Sequence, residues 1–140
     1  SDIVKDFFSS YGFMSGGMLH LSGKEALACC SKGALLLDVR DQYELEARQF
    51  DVPEVLWIPF SELPGQLEKI PNNRPLIVAD SVGLRSKETV RMLLQNGFIE
   101  VANLAGGIFD WERDKLPLKL DKGAYLHAPC ACMIHQKKSP

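Results

Sequence analysis

No apolar run in the 140-residue sequence approaches the ~20 residues that a membrane-spanning helix requires, so no membrane span is expected. Charge is nearly balanced: 16 Lys and Arg against 18 Asp and Glu leave a net −2, too weak a field to draw nucleic acid or an anionic lipid surface. Neither partner is expected. Cysteine is scarce, four residues in two close pairs, Cys29 with Cys30 and Cys130 with Cys132. Adjacent and one-apart cysteines close only strained rings, which argues against a disulfide framework and makes a reducing cytoplasm the expected location. The N-terminus has no basic stretch leading into an apolar one, so no secretory signal is read there. It does not begin with Met, as in a trimmed chain or a piece of a longer one. Internal repeats and low-complexity blocks are also missing. What is present is a 46% hydrophobic composition, enough to bury the core of one domain.

Residues 1–17 read as a weakly patterned leader, with Ile3, Val4, Phe7 and Phe8 at helical spacing before a Gly-Gly break. MLHLS then predicts a short strand. Ser22, with Glu25 three residues on, forms a capping-box pattern opening the helix GKEALACC, which Gly33 ends. ALLLDV (34–39) and PLIVA (75–79) are continuous apolar runs of the kind buried on both faces of a parallel sheet. DQYELEARQ predicts a short helix, EVLWIPF a strand, and SELPGQLEKI a helix interrupted by Pro64 and Gly65. RSKETVRMLLQNGF is the best helix, with Val90, Leu93 and Leu94 apolar and Asn96-Gly97 as its stop. VANLAGG gives a strand and turn, and IFDWERDKLPL a last short helix ended by Pro117. Strands alternating with helices predict an α/β fold, a parallel sheet with helices on both faces. Ligands of such sheets sit at the carboxyl ends of strands, where Asp38, Arg40 and Asp80 fall.

The stretch IVADSVGLRS (77–86) runs from a strand through a glycine-containing loop into a helix start, a place suited to an anion. Together with LLLDVRDQYEL (35–45), VLWIPFSEL (55–63), the loop and helix of 75–98, and VANLAGGIFDW (101–111), it resembles the rhodanese-like domain family. The resemblance covers residues 18–118, leaving 1–17 as leader and 119–140 as a C-terminal tail. It implies an active loop that normally begins with cysteine, followed by two residues, Gly, one residue, Arg and Ser. Gly83, Arg85 and Ser86 take their places, and counting back from Gly83 puts Asp80 where the cysteine would stand. Asp80, Ser81, Val82, Gly83, Leu84, Arg85 and Ser86 are therefore the candidate site, with no certain catalytic residue. The six positions 80–85 match the loop length that the family associates with sulfur transfer rather than the longer loop of related phosphatases.

In such a loop the backbone N–H groups converge at a helix N-terminus and concentrate positive potential. An ionised Asp80 is expected to fill that place as a built-in anion. Equally open is an ordinary N-cap role for the helix that follows. A phosphoryl-accepting aspartate would need Mg²⁺ ligands, and no second carboxylate follows Asp80 closely. Arg85 is expected to pair with Asp80 or to pack structurally, and Ser86 to serve either as a first-turn hydroxyl or as a ligand group. Asp38 and Arg40 resemble the family's Asp-x-Arg and read as structural, with Arg40 anchoring neighbouring loops. Trp57 and Trp111 are assigned to the core.

Cys29 and Cys30 fall in an amphipathic pattern and read as core or helix-face residues. The tail holds His127, Cys130, Cys132 and His135, four ligands able in principle to close a tetrahedral Zn²⁺ site, although the C-x-C spacing departs from the usual one and a silent tail is the simplest reading. The leading expectation is a rhodanese-like domain without sulfurtransferase activity, a binding or regulatory module with an unidentified protein partner and no cofactor. The alternatives are a sulfurtransferase in which Cys130 or Cys132 replaces the missing nucleophile, and a metal-binding role for the tail.

Overall fold

Leu35, Leu36 and Leu37 point alternately to the two sides of a sheet, and each side has its own core. The computed structural model describes residues 7–120. Its main sheet contains β1 (Phe13–Ser15), β2 (Met18–Leu21), β3 (Leu35–Asp38), β5 (Val55–Trp57), β6 (Leu76–Ala79) and β7 (Val101–Leu104), in the order β1-β2-β7-β6-β3-β5. All neighbours run parallel except β1 and β2. On one face Leu36, Ile77, Ala79, Ala102 and Leu104 share a core with α1 (Gly23–Ser31) and α4 (Gly107–Arg113). On the other, Leu35, Leu37, Leu76, Val78 and Val101 share a core with Val90 and Leu93 of α3 (Leu84–Gln95) and with Leu63. A sheet buried on both faces explains why its strands read as unbroken apolar runs rather than as alternating ones. The expected α/β architecture is the one observed.

Ser22 caps α1 as its sequence indicates: its hydroxyl accepts from the Glu25 N–H at 3.2 Å, and the Glu25 carboxylate accepts from the Ser22 N–H at 2.9 Å. The same carboxylate takes the Gly12 N–H at 2.8 Å, tying the start of β1 to α1. These backbone donors, Ser22 first and then Gly12, hold the Glu25 carboxyl below its usual value.

Three segments differ from the sequence-based expectation. Part of the stretch read as leader is built into the domain: Phe8 lies in the same core as Trp111, and Phe13–Ser15 forms the edge strand. All three β1 residues are exposed, so the strand carries no inside-outside alternation for a sequence to display. DQYELEARQ is helical only over α2 (Gln42–Leu45), because β4 (Gln49–Phe50) pairs antiparallel with β8 (Leu118–Lys119). Two-residue strands are too short to show a period. SELPGQLEKI forms two 3₁₀ turns, Phe60–Gly65 and Leu67–Lys69, because Pro64 has no N–H with which to extend an α-helix. Trp111 is fully buried, edge-on to Phe50 at 5.2 Å, with its Nε1–H donating to the Pro117 carbonyl at 2.8 Å. Trp57, expected in the core, is only half-buried on the edge strand β5, where its Nε1–H donates to the Arg40 carbonyl at 2.8 Å. Among the described residues no helix is long and apolar enough to cross a membrane.

Candidate functional site

β3 and β6 are parallel neighbours, so Asp38 and the residue after Ala79 emerge side by side at their carboxyl ends. The chain continues from β3 to β5 on one side, while β6 and β7 lie on the other, which opens a crevice at this point of the sheet. Asp80 stands at its floor, 3% exposed. From there residues 80–86 turn back on themselves into α3. Gly83 makes the turn with φ +99°, a left-handed conformation costly for any residue with a Cβ. A Cβ on Gly83 would also come within 3.1 Å of the Gly106 nitrogen.

The back of the loop is held by α4. Its Ile108 and Phe109 N–H groups donate to the Asp80 and Ser81 carbonyls at 2.9 and 3.0 Å. That approach is possible because Gly107, with φ +58°, has no Cβ; one built there would lie 2.4–2.5 Å from the Ser81 and Asp80 backbone. The front is held by α2, where Glu44 Oε2 accepts the Ser81 hydroxyl at 2.6 Å.

The Asp80 carboxylate fills the centre of the loop. Oδ1 accepts the Gly83 N–H, and Oδ2 accepts the Arg85 and Ser86 N–H groups at 2.7 and 3.2 Å. These are the donors that a helix N-terminus offers an anion, and the positive end of the α3 dipole reinforces them. The N-cap position belongs to Gly83 and not to Asp80. The carboxylate nonetheless caps α3 from three residues upstream, so the built-in anion and the capping role are one arrangement. A fixed carboxylate at this centre leaves three loop donors satisfied and presents like charge to any arriving anion. Asp80→Ala is expected to lower stability by about 1–3 kcal/mol, because buried donors lose a charged acceptor, and Asp80→Asn by less. Sulfate is expected to restore part of the Ala variant's loss by entering the vacated cradle and to do little for wild type. Chemical denaturation with and without sulfate reads both effects.

Ser86, buried at the first turn, extends the site inward. Its hydroxyl lies 3.5 Å from Asp80 Oδ1 and donates to Asn103 Oδ1, and Asn103 Nδ2 in turn donates to His20 Nδ1 at 3.1 Å. His20 Nε2–H completes the line by donating to the Ser15 carbonyl at 3.0 Å, which fixes that tautomer. The line joins the loop to the β1–β2 hairpin through the carboxyl ends of the strands. Sequence reading missed Asn103, His20 and Glu44. The signals were a lone Asn within an apolar strand and an acidic residue three positions after Asp41, whose N–H the Glu44 carboxylate accepts at 3.0 Å.

Of the two roles expected for Arg85, pairing with Asp80 and structural packing, its side chain does not take the first. The Asp80 oxygens face into the loop, while the Arg85 guanidinium projects outward to Asp41 at 3.4 Å and lies 5.8 Å above the Phe60 ring. With both charges well exposed this pair contributes little stability. Arg40 does anchor loops, donating to the Glu44 and Arg48 carbonyls at 3.3 and 3.0 Å while buried against Asp38.

Cys29 and Cys30 are free thiols on α1, buried in the core. Burial pushes them up to about 11 and about 12, the opposite of what a nucleophilic thiolate needs. Both are expected to resist iodoacetamide in the native protein at pH 8 and to react on unfolding. Their stabilising contribution is full below the unfolded thiol value near ~8.5 and is lost as pH rises towards 11–12, so denaturation midpoints are expected to fall across that window. Cys130, Cys132, His127 and His135 lie outside the described residues. Among the described residues no cluster of three or more His, Cys, Asp or Glu could hold a metal.

Known proteins match this architecture. The profile of the rhodanese-like domain family matches residues 22–114, and the chain belongs to that family. A sulfurtransferase of Allochromatium vinosum is 32% identical over 93 residues, 66% of this chain and 85% of that protein. The thiosulfate sulfurtransferase GlpE of Actinobacillus pleuropneumoniae is 30% identical over 90 residues, 64% of this chain and 81% of the relative. Among solved structures, a rhodanese-related protein of Thermoplasma volcanium superposes with a TM-score of 0.65 at 27% identity, covering 72% of this chain and 97% of that one.

Proposed function

We propose that this rhodanese-like domain is a binding or regulatory module in which sulfur transfer has been given up. The observation that carries the reading is the Asp80 carboxylate inside the loop, bound by the Gly83, Arg85 and Ser86 N–H groups. Asp80 stands where the family's loop begins with cysteine. A carboxylate cannot hold a sulfane sulfur as a persulfide, and its charge repels thiosulfate from the donors that would otherwise receive it. Cys29 and Cys30 do not replace the missing thiol, being buried and strongly biased to the protonated form. A cytoplasmic location belongs to the same proposal and rests on the cysteine spacing in the sequence.

The names of the relatives favour a second reading, a working sulfurtransferase, for which the sequence offers Cys130 or Cys132 as the thiol. Thiosulfate:cyanide turnover of the whole chain and of a Cys130→Ser/Cys132→Ser variant separates the two. A binding module gives background rates in both proteins. Turnover in wild type that disappears in the double variant establishes the second reading, and metal content measured on untagged protein tests the tail's Zn²⁺ alternative.

A further inference from the structure

The mouth of the plugged loop is unusually apolar for a surface. Val82 in the loop and Leu84 at the start of α3 are 54% and 66% exposed, Phe13 on the β1–β2 hairpin is 60% exposed, and Tyr43 and Phe109 are exposed as well. These five make up most of the large exposed hydrophobic side chains among the described residues. Singly such residues need no explanation, but Phe13, Val82 and Leu84 together line one groove and mark an interaction surface, while Tyr43 and Phe109 line a second hollow with Val82.

Between the β1–β2 hairpin and the first half of α3 this surface deepens into an open groove of about 400 Å³. Phe13 and Leu84 line it, together with Lys87 and Arg91. Leu84, Lys87 and Arg91, three and four residues apart in turn, share one face of α3. Both cations are exposed, neither forms an ion pair or hydrogen bond within the described residues, and no acidic side chain lines the groove. His20 and Asn103 on its floor already satisfy each other. The groove therefore offers apolar contact and uncompensated positive charge, with no buried polar group in need of a partner.

We propose that this groove docks an acidic peptide segment of another protein, one that interleaves Asp or Glu with large apolar side chains. An inorganic anion is far too small to use such a trough and would leave Phe13 and Leu84 in water. A second copy docking by the same face would bring Lys87 and Arg91 against their own equivalents, which like-charge repulsion opposes. The chain's own tail carries Asp121 against Lys122, Lys137 and Lys138, the wrong charge balance for the site. The inference rests on the reading of this domain as a binding module and assigns the partner's chemistry.

Selection of a random dodecapeptide phage library on the whole chain, followed by fluorescence anisotropy with the enriched peptides, tests it. Enriched sequences are expected to combine acidic and large apolar residues. Affinity is expected to weaken with salt and to fall about tenfold or more in Lys87→Glu/Arg91→Glu and in Leu84→Ser, surface changes that leave the fold intact. A peptide with its acids changed to lysine is expected to recover binding to the Lys87→Glu/Arg91→Glu variant. Three results overturn the proposal: no acidic enrichment, binding indifferent to these variants, or a sedimenting dimer abolished by Leu84→Ser in place of peptide binding. Thiosulfate:cyanide turnover measured on the same preparations keeps the two claims apart. Turnover alongside peptide binding refutes the loss of sulfur transfer and leaves the groove standing, whereas neither turnover nor peptide binding refutes the groove alone.

Discussion

Replacing Arg40 by alanine is expected to destabilise the domain by about 3–5 kcal/mol, the range for removing one member of a buried ion pair. Arg40 is 2% exposed and Asp38 not at all. The guanidinium Nε lies 3.1 and 3.3 Å from the two Asp38 oxygens and Nη2 lies 3.0 Å from Oδ2, a fork that only arginine provides. The remaining donors reach the carbonyls of Glu44 and Arg48 at either end of the segment leading into β4. The plane of the guanidinium covers the Phe50 ring at 5.3 Å. Alanine therefore takes the cation away from a buried carboxylate, deprives two carbonyls of a donor and opens space beside Phe50, all in one change. Arg40→Lys keeps the charge but cannot satisfy Asp38 and both carbonyls together, so an intermediate loss is expected. Because Glu44 also accepts the Ser81 hydroxyl, loosening this segment is expected to loosen the front of the Asp80 loop. Urea denaturation of the three proteins measures the order. A loss below ~1 kcal/mol in Arg40→Ala, with an unchanged denaturant slope, would show that the pair does not support the fold.

The central frame was legible in the sequence because its signals are physical necessities. Strands covered on both faces must be apolar at every position, and LLLD, LIVA and VANL are nearly so. A helix start needs acceptors for its free N–H groups, and Ser22 with Glu25 announced one. The elements that escaped are those whose stability is borrowed from neighbours. β1 survives with three exposed residues because β2 pairs with it and Glu25 holds Gly12. β4 and β8 hold because Phe50 packs beneath Trp111. At the site, the count back from Gly83 located Asp80 and the converging loop N–H groups were expected, but no spacing rule revealed that Ser86 would link it to Asn103 and His20 or that Glu44 would hold Ser81. For Arg85 the sequence left two roles open, because its position beside the anion does not say which of its groups faces it: the backbone N–H serves Asp80 while the side chain serves Asp41.

Asp80→Cys is expected to give a loop that accepts sulfur. The change gives Cys-Ser-Val-Gly-Leu-Arg-Ser over residues 80–86, with the donors of Gly83, Arg85 and Ser86 now directed at a thiol. Those donors and the end of the α3 dipole favour the thiolate and lower the thiol's pKa below the ordinary ~8.5. The thiolate can then attack the sulfane sulfur of thiosulfate; the new S–S bond forms as the old one breaks, and sulfite departs with its electron pair. The shape of the loop does not depend on residue 80 alone, since α4 holds its back through Ile108 and Phe109 and α2 holds its front through Glu44. Mass spectrometry of intact Asp80→Cys and wild-type protein after exposure to thiosulfate, with the site mapped by digestion, is the most direct test of a loop built for an anion and occupied by its own carboxylate. One added sulfur on the introduced thiol of the variant and none on any wild-type cysteine is the expected result. An inert thiol in a folded Asp80→Cys protein, or an added sulfur on a wild-type cysteine, would contradict it.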